Sequence, residues 1–143
     1  VKKTKSTDEA IAIAFDYVTS HWGGSRILLL LKFNRLYDTD LSKSISRKGY
    51  MHCTQMNYLL RFILVQSGKI KDENIQQKLT NSWSLAPHQY LQIRLENKKI
   101  FLDPWNYQFG IDFGDYGKWF DSKNLMPVRG HAKNKSFLEQ IFI

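Results

Sequence analysis

The chain has only one cysteine and three prolines among its 143 residues, and it contains no long hydrophobic run. A single cysteine excludes an internal disulfide. The apolar runs, such as 27–31, are far shorter than the roughly 18 residues that a membrane-spanning helix needs. Internal repeats and low-complexity segments are also absent from the sequence. These absences argue against a disulfide scaffold, a spanning helix and a repeat array, and they favour a globular domain.

Acidic side chains are also in the minority, with 13 Asp and Glu against 21 Lys and Arg, for a net charge of +8. This sign of charge suits anionic partners such as nucleic acid. However, the basic residues are mostly scattered and no nucleic-acid-binding motif is present, so we do not expect a nucleic-acid partner. A basic binding module, in which aromatics interleave with Lys98, Lys99 and Lys118, remains the alternative from a different functional class.

The length and the apolar fraction of 43% predict one domain covering residues 1–143. The first residue is Val1 and not methionine, and no signal-peptide pattern follows it. We therefore expect a processed or truncated piece of a longer protein, from which any export signal has been removed. The localisation and the oligomeric state stay open.

The first half of the chain has a helical pattern. Ser6 to Glu9 form a capping box before an apolar segment, which predicts a helix over about 7–21. Residues 25–36 carry a broad apolar stripe that favours a second helix, and the polar residues of 37–50 indicate a loop.

A third helix is predicted from the apolar residues at spacings of three and four between Met56 and Leu64. Cys53 lies in its first turn, and Gly68 suits its C-terminal cap. Asp72 is expected to cap a further short helix that runs through Leu79.

The second half of the chain has a β pattern. Polar and apolar residues alternate over 88–95, Glu96-Asn97 suits a two-residue turn, and 100–103 form the return strand. This turn pairs Ile93 with Ile100. The glycines of 105–119 indicate a bent loop near the site, and a short helix is expected over about 136–142.

Three residues within these elements suggest nucleophilic catalysis. Cys53 at a helix N-terminus is exposed to partial positive charge, which favours the thiolate. The hairpin register places Asp103 diagonal to His88 on one face, within side-chain reach. An acid in this position can orient the imidazole of a general base. We therefore expect Cys53, His88 and Asp103 to form a nucleophile, base and orienter.

The same residues resemble a known family. The segment 49–53, followed by an apolar helix that ends in Ser67-Gly68, resembles the nucleophile segment of transglutaminase-like proteins. Residues 88–95, together with Asp103-Pro104-Trp105, resemble the His strand and the Asp-Pro strand of that superfamily. The resemblance implies an α+β fold with a papain-like core, in which a central helix packs on an antiparallel sheet. The chain departs from the family in having Thr54, where members often carry an aromatic residue.

The resemblance also implies an activity. It predicts cysteine-dependent acyl transfer through a thioester, with Cys53 as nucleophile, His88 as general base and acid, and Asp103 as orienter. Small bacterial-type members are often hydrolases, so a peptidase or amidohydrolase acting on a peptide or protein comes first. A transglutaminase or deamidase is the alternative, and a catalytically inactive basic binding module is another.

The residues around the triad complete the expected site. Tyr90, Trp105 and His52 are expected to contact substrate. We expect no cofactor and no metal, because Cys53 has no paired ligand motif nearby. Two readings remain open beside the triad: a metal site formed by Cys53, His88 and Asp103, and a buried thiol with an unrelated histidine and aspartate.

Overall fold

The computed structural model of the chain describes residues 6–25, 28, 31, 32, 34, 35, 40–47, 49–82 and 86–117. Within these residues the fold is α+β, with helices packed on an antiparallel sheet. The predicted helix over 25–36 lies largely outside the described residues, although the Lys32 N–H donates to the Leu28 carbonyl at 2.8 Å, as in one helical turn. The helix predicted over about 136–142 lies wholly outside them.

Helix α1 spans Thr7–His21, as the sequence predicts. The Ser6 hydroxyl accepts a hydrogen bond from the Glu9 N–H at 3.1 Å and so caps the helix. Ile11, Phe15 and Val18 recur at spacings of three and four and are buried. This periodicity gives α1 one apolar face, which packs against the core.

Between α1 and residue 50 the chain forms three short elements that the sequence did not predict. Strand β1, Trp22–Gly23, pairs in parallel with strand β2, Gly49–Tyr50. Helix α2 spans Leu41–Ser46, and the Asp40 side chain caps it by accepting from the Lys43 N–H at 3.1 Å. The prediction of a loop over 37–50 is therefore wrong for these residues, because an effective N-cap and a parallel strand pairing order a polar segment.

Helix α3 spans Cys53–Gln66 and is the central helix of the fold. Met56, Leu60 and Leu64 follow one another at spacings of four and are fully buried. Gly68 adopts a φ of +68° just beyond the helix end, a conformation that glycine tolerates at no steric cost. The predicted third helix is thus confirmed at both ends.

The helix predicted from Asp72 to Leu79 is wrong. Only a 3₁₀ turn, Asp72–Asn74, forms, and strand β3 follows at Ile75–Ser82. Strand β4, Ala86–Arg94, pairs antiparallel with β3 along eight residue pairs. These backbone hydrogen bonds come from a segment distant in sequence, and tertiary pairing of this kind overrides weak local signals.

Strand β5 spans Lys99–Leu102 and completes a sheet of order β3-β4-β5. The predicted register is confirmed: Ile93 lies opposite Ile100, and the Leu95 N–H donates to the Lys98 carbonyl at 2.8 Å. Arg94 also lies opposite Lys99, so two like charges face each other, both on exposed residues. Directly after β5, Asp103 caps a single helical turn, α4, at Pro104–Tyr107.

The hydrophobic core lies between α1, α3, the sheet and the turn at α4. It combines residues buried on each of these elements, among them Val18, Leu60, Leu91, Leu102 and Phe109. No helix in the described part of the chain is both long enough and apolar enough to cross a membrane. The core fixes the start of α3 beside strand β4, where the candidate site lies.

A pair of leucine substitutions tests the packing of α3 on the sheet. Leu60 is 0% exposed, so Leu60→Ala should lower the free energy of unfolding by about 2–5 kcal/mol through lost burial and a cavity. Leu79 is 68% exposed, so the same change there should stay within about 0.5 kcal/mol. Urea denaturation measures both values. Equal losses at the two positions would contradict the described packing.

Candidate active site

Cys53 is the first residue of α3 and is partly accessible, in agreement with the sequence prediction. The first-turn N–H groups of a helix have no partner inside the helix, and they carry the positive end of its dipole. This end of α3 therefore favours negative charge, on the sulfur or on an oxygen bound beside it.

Two groups from strand β4 act on the Cys53 thiol. The His88 side chain and the backbone N–H of Gln89 both favour its thiolate form through hydrogen bonding. Burial raises the pKa of the Cys53 thiol, and Asp103 adds a small effect of the same sign. The hydrogen bonds and the positive charge of His88 outweigh both, so the pKa lies below the ordinary thiol value.

His88 is in turn bound by Asp103. The His88 Nε2–H lies 2.9 Å from Oδ1 and 2.8 Å from Oδ2 of the carboxylate, and both residues are buried. Burial lowers the pKa of His88, but the Asp103 charge and hydrogen bond, with a smaller contribution from Cys53, raise it to about 10. The imidazole is therefore protonated at neutral pH. The predicted meeting of His88 and Asp103 across the hairpin is confirmed.

Three further donors, which the sequence analysis missed, surround the Asp103 carboxylate. They are the Asn106 backbone N–H at 3.1 Å, the Asn106 Nδ2 at 3.0 Å and the Gly117 backbone N–H at 2.9 Å. Burial raises the pKa of Asp103, but the His88 charge and these donors lower it more, so the acid is ionised. One signal was available in the sequence: Asp followed by Pro is typical of a helix N-cap and its first residue.

Trp105 and Tyr90, both expected to contact substrate, lie around the His88–Asp103 pair. The Trp105 ring centroid is 5.7 Å from that of His88. The Tyr90 ring stacks on Tyr116 with a centroid separation of 4.0 Å and an interplanar angle of 9°. Both side chains are largely buried, and their contact with a substrate stays a prediction.

His52 is placed differently from the expectation. Its side chain is 0% exposed, so it presents no surface to a substrate, and the predicted substrate contact is corrected. The Tyr50 hydroxyl lies 3.0 Å from its Nδ1, and its Nε2 lies 3.1 Å from the Lys32 carbonyl. The His52 backbone N–H also donates to the Gln55 side chain at 3.2 Å. His52 therefore anchors the start of α3, and with it the position of Cys53.

The segment 105–119 was predicted as a glycine-bent loop near the site. It begins as the helical turn α4, and Gly110 and Gly114 then adopt positive φ angles of +101° and +93°. Gly117 returns to the Asp103 carboxylate, so the proximity to the site is confirmed. Residues 118 and 119 lie outside the described part of the chain.

A groove of about 320 Å³ runs along α3 away from Cys53. It is lined by side chains of α3, of the sheet and of the turn before β3, namely Asn57, Tyr58, Arg61, Phe62, Val65, Asp72, Gln77 and Leu91. The Asn57 side chain donates to the Gln89 carbonyl at 2.7 Å, and the Gln89 N–H favours the Cys53 thiolate. Gln89 therefore interacts both with a residue that lines the groove and with Cys53.

The described residues contain no group of three His, Cys, Asp or Glu side chains arranged to hold a metal ion. Comparison with protein-family models, with curated proteins and with solved structures finds no match to the chain. The interpretation of the site therefore depends on its geometry and on the chemistry of its side chains.

The pH dependence of thiol reactivity tests the Cys53–His88 contact. Iodoacetamide labelling of Cys53 should follow an apparent pKa below the ordinary value of about 8.5, because His88 stabilises the thiolate. The rate should fall only when the pH drops through that lowered pKa.

His88→Ala should return the labelling curve to that of an ordinary thiol. His21→Ala, which removes an exposed imidazole outside the site, should leave the curve unchanged. Mass spectrometry of the labelled protein gives the rates. A wild-type curve that matches the His88→Ala curve would contradict the contact.

Proposed function

We propose that the protein is a cysteine-dependent acyl-transfer enzyme of the transglutaminase-like class, most simply a peptidase or amidohydrolase. One observation carries the proposal: a thiol at a helix N-terminus is acted on by a histidine that is itself bound by a buried aspartate. These three groups supply what thiol catalysis needs, namely a nucleophile, a proton carrier and a group that orients the carrier.

The reaction follows from these positions. The Cys53 thiolate attacks the carbonyl carbon of an amide, and the carbonyl π electrons move to the oxygen. The N–H groups at the start of α3 stabilise that oxyanion. The carbonyl then re-forms, the C–N bond breaks, and His88 gives its proton to the leaving amine. The acyl group remains on Cys53 as a thioester.

The second half of the reaction restores the enzyme. His88, now neutral, removes a proton from water while the water oxygen attacks the thioester carbon. The C–S bond breaks and the acid leaves, so Cys53 returns to the thiolate and His88 to the imidazolium. Asp103 keeps its charge throughout and stabilises the protonated imidazole. If an amine replaces water, the same steps give transamidation. If water is the acceptor and a glutamine side chain is the acyl donor, they give deamidation.

The order of the elements supports a papain-like core. The nucleophile begins the central helix α3, the base lies on the central strand β4, and the orienter follows the adjacent strand β5. Helix α3 packs on β4, with the Asn57 side chain bonded to its backbone. This is the arrangement that the family resemblance implies.

The groove along α3 supports a peptide substrate. Tyr58, Phe62 and Leu91 give it an apolar surface. Its charged groups already pair with each other, because the Arg61 guanidinium binds the Asp72 carboxylate at 2.6 and 2.7 Å. The groove therefore favours an uncharged, apolar side chain of a peptide substrate.

A thioester trap tests the proposed function. With p-nitrophenyl acetate, a generic acyl donor, Cys53 should become acetylated faster than a free cysteine at the same pH, because its thiolate is populated and oriented. Intact-mass measurement detects the adduct, and Cys53→Ala should show none. Adding hydroxylamine should release the acyl group as a hydroxamate. Acetylation no faster than that of free cysteine would favour the basic binding module.

A second experiment tests the orienting acid. Asp103→Asn keeps the shape but removes the charge, so the acetylation rate should fall by at least about tenfold, the effect of one pKa unit of lost stabilisation. Asp115→Asn, an exposed acid on the same loop, is the matched control and should keep the wild-type rate. Equal rates in the two variants would remove Asp103 from the mechanism.

A further inference from the structure

Asn106 supports the aspartate of the proposed triad with two hydrogen bonds. Its backbone N–H donates to Oδ1 of Asp103 at 3.1 Å, and its Nδ2 donates to Oδ2 at 3.0 Å. The residue is 0% exposed. Each carboxylate oxygen therefore receives one donor from Asn106 in addition to its contact with His88.

Gly117 supports the same carboxylate from the far end of the loop. Its backbone N–H donates to Oδ2 of Asp103 at 2.9 Å. A Cβ added at Gly117 would overlap the side-chain amide of Asn106. Its φ is not in the left-handed region, so glycine is required at this position by the close approach of Asn106.

Packing alone does not explain an amide at position 106. The Asn106 Oδ1 is buried and finds no hydrogen-bond partner among the described residues, which costs free energy. A leucine, which has the same number of side-chain heavy atoms, would leave no unpaired polar atom here. The amide is favoured only if the hydrogen bond from its Nδ2 to Asp103 contributes more free energy than the unpaired Oδ1 costs.

We propose that Asn106 and Gly117 are positioning residues that keep the Asp103 carboxylate ionised and directed at Nε2 of His88. The inference rests on the proposed function, since it concerns the same triad. Without these donors, a buried carboxylate takes up a proton more readily or rotates away from His88. His88 then loses the charge that keeps it protonated, and the Cys53 thiolate loses its counter-ion.

The test uses Asn106→Leu in the full chain and iodoacetamide as the probe of Cys53. The variant removes the Nδ2 donor and keeps the number of side-chain heavy atoms. The labelling curve should move toward that of an ordinary thiol by about one pH unit, which is about a tenfold slower rate at pH 6. An unchanged curve in a folded variant would overturn the proposal.

Gln108→Leu is the matched control. Gln108 is also a buried amide in the same turn, and its Oε1 is likewise unpaired among the described residues. Its Nε2 donates to the carbonyls of Gly24 and Trp105 and not to Asp103. Its labelling curve should match the wild type even if the protein is less stable. A shift equal to that of Asn106→Leu would show that general packing, and not the support of Asp103, sets the thiol reactivity.

Gly117→Ala gives a second, independent test that remains if Asn106→Leu does not fold. The new Cβ should displace the Asn106 amide and so produce a similar shift of the labelling curve. In the Asn106→Ala background the same Cβ has room, so Gly117→Ala should add little further shift. Full additivity of the two changes, or no shift in Gly117→Ala alone, would contradict the proposal.

The outcomes separate this inference from the proposed function. If wild-type Cys53 labels as an ordinary thiol, both the positioning role and the proposed function are contradicted. If the wild-type curve is lowered and Asp103→Asn abolishes the lowering, the triad stands. In that case unchanged curves for Asn106→Leu and Gly117→Ala overturn the positioning role alone.

Discussion

The described structure depends on the burial of one carboxylate. Asp103 is 1% exposed, and an ionised acid in such a place is costly unless it is paired and hydrogen-bonded. Four donors meet this requirement, and they come from strand β4, the turn α4 and the loop that ends at Gly117. The same carboxylate caps α4 and binds His88. The hydrogen bonds that offset the cost of burying this charge therefore hold the hairpin, the turn and the loop together. The carboxylate also keeps His88 protonated.

The charge of His88 acts on Cys53 because the position of α3 places the thiol beside the imidazole. His52 is bonded to Tyr50 and to the Lys32 carbonyl, and so fixes the first turn of the helix beside β4. The raised pKa of His88 is also a contribution to folding. It is fully present below the ordinary value of 6.5, and it is lost as the pH rises through about 10. The charge of His88 and this contribution to stability thus arise from the same buried pair.

Much of this arrangement could be predicted from the sequence. The spacing of Met56, Leu60 and Leu64 located α3, and the Glu96-Asn97 turn set the hairpin register, so Cys53, His88 and Asp103 could be brought together. The predictions failed where contacts between residues distant in sequence determine the local structure. Strand β3 forms because β4 pairs with it, although its own residues are mostly polar. His52 is adjacent to Cys53 in sequence but its side chain is fully buried. The donors from Asn106 and Gly117 depend on how a glycine-containing loop closes, which no periodicity indicates.

The central claim is that a buried, ionised Asp103 keeps His88 protonated beside the Cys53 sulfur. NMR of the protein with ¹⁵N-labelled histidine tests it most directly, because imidazole nitrogen shifts report protonation and the chain has only four histidines. His88→Gln identifies the resonance by its loss. The account predicts that the His88 imidazole stays protonated at pH 8 and titrates near a pKa of about 10. A titration near the ordinary histidine value of 6.5 would contradict it.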